Sequence, residues 1–239
     1  MATIAGYLTI SCLLTTMGEL LVHTVVGHPV LRWDIAVSRW FAAGRAPGLE
    51  RLSRFGSALG NTMPVVVAAL LIAVALIAAR RWREVPVVVV ALSLELAVFL
   101  TVNEIVGRPR PDVVRLGSTP TTASFPSGHT AATVVLYGAL ALHVGRSARP
   151  GLARPVAGIG LAMTVFVAWS RVYRGMHHVT DVVAGAAMGA ACLFVAWWAL
   201  SAFVDRDRGR SARATAAGSV SLESVPPGSV PAHSVEVVS

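Results

Sequence analysis

The 239-residue chain is 55% hydrophobic with a mean hydropathy of +0.68, more apolar than a soluble globular chain of this length. Its net charge of +8 comes from Arg without any Lys, and these Arg residues stand in short clusters between apolar runs. That excludes the continuous basic stripe of a nucleic-acid-binding surface and fits charges that flank membrane spans.

Met1 to Gly18 holds no Arg ahead of its apolar run and no convincing small-residue cleavage site, so the run at 4–26 is expected to be a retained first span. Further apolar runs follow at 63–79, 85–106, 130–144, 153–170 and 182–204. A bilayer core takes roughly 20 apolar residues per helix. The fourth and fifth runs are short, but helices packed inside a bundle tolerate polar flanks that line a cavity. The expected architecture is all-α: an integral membrane bundle of about six transmembrane helices.

Between the first two spans, Trp33, Val37, Trp40 and Phe41 recur at helical spacing among Arg32, Asp34, Arg39 and Arg45, which predicts an interfacial amphipathic helix. Glu19 and Glu95 sit within or near spans, where a carboxylate is costly; each is a candidate for lining a substrate path or for pairing with a polar neighbour. Gly185 and Gly189 form a small-xxx-small pattern that allows close helix approach. Cys12 and Cys192 lie in apolar runs, where free Cys acts as a small hydrophobe and no disulfide framework is indicated. From Asp205 onward an Arg cluster gives way to Ser, Pro, Gly and Val, with Ser at 219, 224, 229 and 234. The chain therefore divides into a membrane-embedded domain, 1–204, and a tail, 205–239, expected to be disordered.

The chemistry-bearing residues fall in three places: Gly107-Arg108-Pro109-Arg110-Pro111 after the third span, Phe125-Pro126-Ser127-Gly128-His129 before the fourth, and Ser170-Arg171, His177 and Asp181 between the fifth and sixth. In a six-span layout these connections emerge on one membrane side. Arg108, Arg110 and Arg171 are planar donors whose forks match phosphate oxygens. Ser127 and Gly128 would open the fourth span, where unpaired N–H groups favour an anion. His177 and Asp181, four apart, share a helix face, so the carboxylate can fix the imidazole tautomer and leave the other nitrogen free to attack. His178, three from Asp181, competes for that role on spacing alone. His129 is then placed to protonate a leaving oxygen. Neither His-x-x-x-His nor Cys-x-x-Cys spacing is present, so neither a metal nor another cofactor is expected.

These motifs resemble the type 2 phosphatidic acid phosphatases, membrane relatives of the vanadium haloperoxidases. That family's pattern is Lys, six residues, Arg-Pro; then Pro-Ser-Gly-His; then Ser-Arg, five residues, His, three residues, Asp. The second motif matches in full at Pro126 to His129 and the third at Ser170-Arg171, His177 and Asp181, while Asn103 stands where the family has Lys. The resemblance implies hydrolysis of a lipid phosphate monoester or a polyprenyl diphosphate such as undecaprenyl diphosphate through a phosphohistidine. His177 would be nucleophile, Asp181 its orienting partner and His129 general acid. Arg110, Arg171, Ser127 and Gly128 would hold the phosphate, with Arg108, or in second place Arg115, compensating for the missing Lys. The implied partners are the lipid substrate and the bilayer, with no nucleic acid; oligomeric state is not readable. A protein of the same fold that binds or flips lipids without turnover is the alternative, against which the intact His129, His177 and Asp181 set argues. Once the site Arg residues are set aside, the Arg count favours cytoplasmic termini and an extracytoplasmic site.

Overall fold

The computed structural model describes residues 1–223 apart from 25–26, 119–120 and 148. Eight α-helices make up its regular structure: α1 (Ala2–His23), α2 (His28–Ala43), α3 (Pro47–Leu59), α4 (Thr62–Ala78), α5 (Val85–Val106), α6 (Gly128–Gly145), α7 (Ala153–Tyr173) and α8 (Val179–Glu223). Contacts divide the chain into one unit at Met1–Leu200 and a second at Ser201–Ser239.

The first unit is built around α5 and α6. Leu94, Val98, Val102 and Val106 recur every four residues on α5 and form one buried face, which packs with Ile10 and Leu14 of α1, Phe125, Ala131 of α6, and Ala184, Met188 and Cys192 of α8. Small residues bring α8 against the head of α6: a Cβ on Gly185 would collide with the Ser127 carbonyl, and one on Gly189 with the Ala131 carbonyl. The small-xxx-small pattern is thus a packing device. Gly107 ends α5 in the left-handed conformation (φ 57°), its N–H returning to the Asn103 carbonyl at 3.2 Å. That turn throws the chain into the loop carrying Arg108, Arg110 and Ser124.

Four helical stretches are each long and apolar enough to cross a membrane: Ala2–His23, Trp82–Val106, Pro150–Tyr173 and Val179–Ser201. The pair α3 and α4, bent by 52°, makes a fifth if it counts as one span. Six were expected. The difference lies in α4, which is 17 residues long, and in α6, whose apolar run is bracketed by His129 and His143 and whose Thr130 and Thr133 are buried.

In the segment before α4 the sequence predicts one amphipathic helix and the structure has two. On α2, Asp34 and Ser38 are buried while Trp33 and Trp40 face outward. Ser53, Gly56 and Ser57 line the buried face of α3. In the second unit the helix continues to Glu223, whereas the segment from Asp205 is expected to carry no helix. The run Ala212 to Ala217 is rich in Ala, the strongest helix former. The expectation of disorder for 224–239 concerns residues outside those described.

Candidate active site

The loop after α5, the head of α6, the end of α7 and the head of α8 converge on one cavity of about 310 Å³. Arg110, Gly128, His129, Arg171 and His177 form its polar end. Its remaining wall includes Val65 and Val66 of α4 and Leu92, Glu95, Leu96 and Phe99 of α5. Val66 and Leu96 are themselves exposed, 45% and 53%, so the apolar end reaches the outer surface between α4 and α5. A second cavity of about 290 Å³, lined by Arg54 and Ser57 of α3, Asn61 and Arg174 among others, shares His129 and Arg171 with the first.

His177 is buried (3% exposed) and its Nδ1 lies 2.6 Å from the Ser124 carbonyl. A carbonyl only accepts, so Nδ1 carries the proton and Nε2 keeps a free lone pair. Arg110 Nη1 is 3.5 Å from that Nε2. Burial, reinforced by Arg171 and Arg110, lowers the His177 pKa to about 4 against the opposing pull of Asp181, so the ring is neutral near pH 7.

Asp181 is placed differently from the expectation that it fixes this tautomer. Its Oδ2 stands 3.8 Å from His177 Nδ1, beyond hydrogen-bond reach. The carboxylate instead accepts from Ser124 Oγ at 2.5 Å, from the His178 backbone N–H at 2.7 Å, and from Arg108 at 2.5 Å, with His178 Nδ1 at 3.2 Å. Located in the first turn of α8, it reaches back to the residue before the helix in the manner of a capping box. Asp181 is therefore joined to His177 by way of Ser124, whose hydroxyl donates to the carboxylate and whose carbonyl accepts from the ring.

Arg108 was expected to hold phosphate, and the structure corrects this. It is 2% exposed, does not line the cavity, and bridges Asp181 at 2.5 Å and Asp34 of α2 at 2.8 Å, with a further bond to Thr180 Oγ1 at 2.7 Å. Asp34 also accepts from the Thr180 backbone N–H at 3.2 Å and from the Thr180 hydroxyl. Two buried carboxylates consume the guanidinium, leaving it no face for a ligand. Asn103 is likewise a brace: its Nδ2 donates to the Ala123 and Phe125 carbonyls at 3.0 and 2.9 Å, and its Oδ1 accepts from the Ala123 N–H at 3.0 Å.

The other expected residues do meet at the cavity or beside it. Arg110 lies against backbone carbonyls of Thr122, Ala123 and Met176, and burial lowers its pKa from the ordinary guanidinium range. Arg171 donates from Nη1 to Ser57 Oγ of α3 at 2.7 Å, while its buried Nε has no hydrogen-bond partner among the described residues. Ser127 is fully buried; its N–H goes to the Asp181 carbonyl at 2.9 Å and its hydroxyl pairs with Thr130 at 3.1 Å. It stands at the N-cap position of α6 without a side-chain capping bond and without lining the cavity, which Gly128 and His129 line with the first turn of the helix. His129 Nε2 donates to Asn61 Oδ1 at 2.9 Å. The two Arg forks and the helix head thus gather around a free imidazole nitrogen, an arrangement suited to holding a tetrahedral oxyanion for in-line attack. Among the described residues no three His, Cys, Asp or Glu side chains converge as a metal-binding group.

Ser124, Ser57, Asn61 and Asp34 were not found from sequence. Ser124 meets His177 through its main chain and all four lie far along the chain from their partners, so none leaves a local spacing signal.

The sequence model of the PAP2 superfamily matches residues 86–205. Decaprenylphosphoryl-5-phosphoribose phosphatases from two Mycobacterium tuberculosis strains, CDC 1551/Oshkosh and ATCC 25618/H37Rv, are each 34% identical over 142 residues, covering 58% of this chain and 71% of the relative. Among solved structures, the PAP2-type phosphatidylglycerolphosphate phosphatase of Bacillus subtilis superposes with a TM-score of 0.69 at 24% identity, over 85% of this chain and 96% of that one. Aquifex aeolicus LpxE gives a TM-score of 0.55 at 23% identity, over 67% and 92%. At these identities the two structures share the fold.

Proposed function

We propose, on the premise that this chain belongs to the PAP2 superfamily and is a multi-pass membrane lipid phosphatase, that His177 is the nucleophile of a two-step hydrolysis. The observation that carries this reading is the Nδ1–H bond to the Ser124 carbonyl, which leaves Nε2 unprotonated beside Arg110. In the first step the Nε2 lone pair forms a bond to phosphorus as the bond to the lipid oxygen breaks, and His129, protonated once the bound phosphate dianion offsets Arg171 and Arg110, gives that oxygen a proton. In the second, His129, now neutral, takes a proton from water as the water oxygen attacks phosphorus. The P–N bond breaks and inorganic phosphate leaves. Arg110, the Arg171 guanidinium and the N–H groups at the head of α6 hold the equatorial oxygens. Ser127 shapes that helix head, and Asp181 positions His177 by way of Ser124.

The apolar end of the cavity suits a substrate whose tail stays in the bilayer while its phosphate reaches the Arg residues. The mycobacterial relatives are named for decaprenylphosphoryl-5-phosphoribose, a polyprenyl lipid bearing a phosphorylated sugar, and such lipid phosphates are candidate substrates here. The site is assigned to the extracytoplasmic face with cytoplasmic termini, on the distribution of Arg.

The test is phosphate release from a lipid phosphate by purified protein with and without chelator, together with acid-labile labelling of the protein. Turnover in chelator with label on wild type and none on His177→Ala is expected. Strict dependence on added Mg²⁺ or Zn²⁺ would refute the mechanism.

A further inference from the structure

The wall of the active-site cavity contains one ionisable residue that the reaction above does not use. Glu95 lies on α5 between Leu92 and Leu96, lines the cavity, and is 6% exposed. No hydrogen bond or ion pair joins it to another described residue. An uncompensated carboxyl inside an apolar span is costly and is not kept by packing, since Leu fills the same space without desolvation. Its oxygens therefore await a partner that enters the cavity.

The position of Glu95 says where on the substrate that partner sits. Helix α5 runs toward the site, and the Phe99 ring lies 3.2 Å from where a Cβ on Gly128 would stand, so Phe99 marks the level of the α6 head. Glu95 precedes it by four residues, about 6 Å deeper at roughly 1.5 Å rise per residue. With phosphorus at His177, that depth falls on the first few carbons beyond the ester oxygen, before the long tail. Hydroxyl groups are the polar substituents that suit a carboxyl in either charge state: a carboxylate accepts from them, and a neutral acid both donates and accepts.

We propose that Glu95 is a specificity residue that hydrogen-bonds a hydroxyl group on the substrate's carbon skeleton next to the phosphate ester. The substrate class is then hydroxyl-bearing lipid phosphates, with a glycerol or sugar unit beside the phosphate, in preference to bare polyprenyl phosphates. This rests on the lipid-phosphatase reading and narrows it.

The experiment measures kcat/KM of the purified full chain in detergent micelles on lysophosphatidic acid and on its 2-deoxy counterpart, which differ by one hydroxyl. Wild type should prefer the hydroxylated lipid by about tenfold or more, because a site built to bond a hydroxyl is left unpaired without it. Glu95→Leu and Glu95→Ala should bring the ratio near unity, and Glu95→Gln, which keeps shape and hydrogen bonding, should retain most of it. A wild type without preference, or a preference undiminished in the Leu and Ala variants, overturns the proposal and leaves the phosphatase reading standing. Phosphate release from neither lipid by monodisperse wild type overturns both.

Discussion

Replacing Arg108 with Met removes the cation between Asp34 and Asp181, both fully buried. Two carboxylates then share a dry site without the guanidinium that bridged them, held only by the Thr180, Ser124 and His178 contacts. Breaking a buried ion pair by removing one partner costs about 3–5 kcal/mol, because the remaining charge is left uncompensated. For a chain of this size a loss of 1 kcal/mol lowers Tm by roughly 2–4 °C, so the variant should melt about 6–20 °C below wild type. Arg108→Lys should recover only part of this, since an ammonium cannot span the fork that meets Asp34, Asp181 and Thr180 together. Asp34→Asn in the Arg108→Met background should restore part of the loss by removing one stranded charge. The assay is thermal unfolding of each variant in one detergent, followed by size-exclusion chromatography, alongside kcat and KM. If Arg108→Met melts with wild type and only KM rises, Arg108 is a phosphate ligand and the structural assignment is wrong.

The His177 imidazole should titrate near pH 4 in the ligand-free protein, followed by side-chain NMR; a midpoint at the ordinary 6.5 would mean the ring is hydrated. Its lowered pKa means that the neutral buried form is favoured, so this group's contribution to stability is present above pH 6.5 and is lost as the pH falls from there through about 4. His177→Ala should be inactive and unlabelled, whereas His178→Ala, whose ring lies on Asp181 and not in the cavity, should keep measurable turnover; phosphoenzyme in the first variant would exchange their roles. Asn103→Lys should lower both stability and kcat/KM rather than improve phosphate binding, because it removes bonds that hold Ala123 and Phe125. At about 0.5–1.5 kcal/mol per hydrogen bond, the expected loss is on the order of 2–4 kcal/mol, and an unshifted melting curve with a lower KM would contradict it.

The membrane class and the His129, Arg110, Arg171 and His177 cluster were legible in the sequence because both rest on local signals: long apolar runs, and short motifs whose spacing survives on a helix. What could not be read was where each charge finds its partner. Arg108 and Arg110 are two residues apart with the same chemistry in sequence, yet one meets Asp34 of α2 and leaves the cavity while the other stays. Asp181 at four residues from His177 suggests direct contact, but the Ser124 loop interposes its own carbonyl. Helix α3 was missed because its apolar residues Leu49, Leu52 and Phe55 face outward while its buried face is Ser and Gly, the reverse of a soluble helix, and α6 carries His129 and His143 near its ends, which dilutes its apolar run although its centre is buried.

The active-site cavity and its neighbour meet at a common wall of His129 and Arg171, one compartment bordered by exposed Val66 and Leu96 and the other by Arg54, Asn61 and Arg174. The two reactants of hydrolysis therefore come from different phases, the ester by lateral diffusion in two dimensions and water in three. For such an enzyme the concentration that sets the rate is the mole fraction of substrate among the surrounding lipids. Diluting the bilayer with inert lipid at constant bulk concentration slows it, while diluting the vesicles in buffer does not.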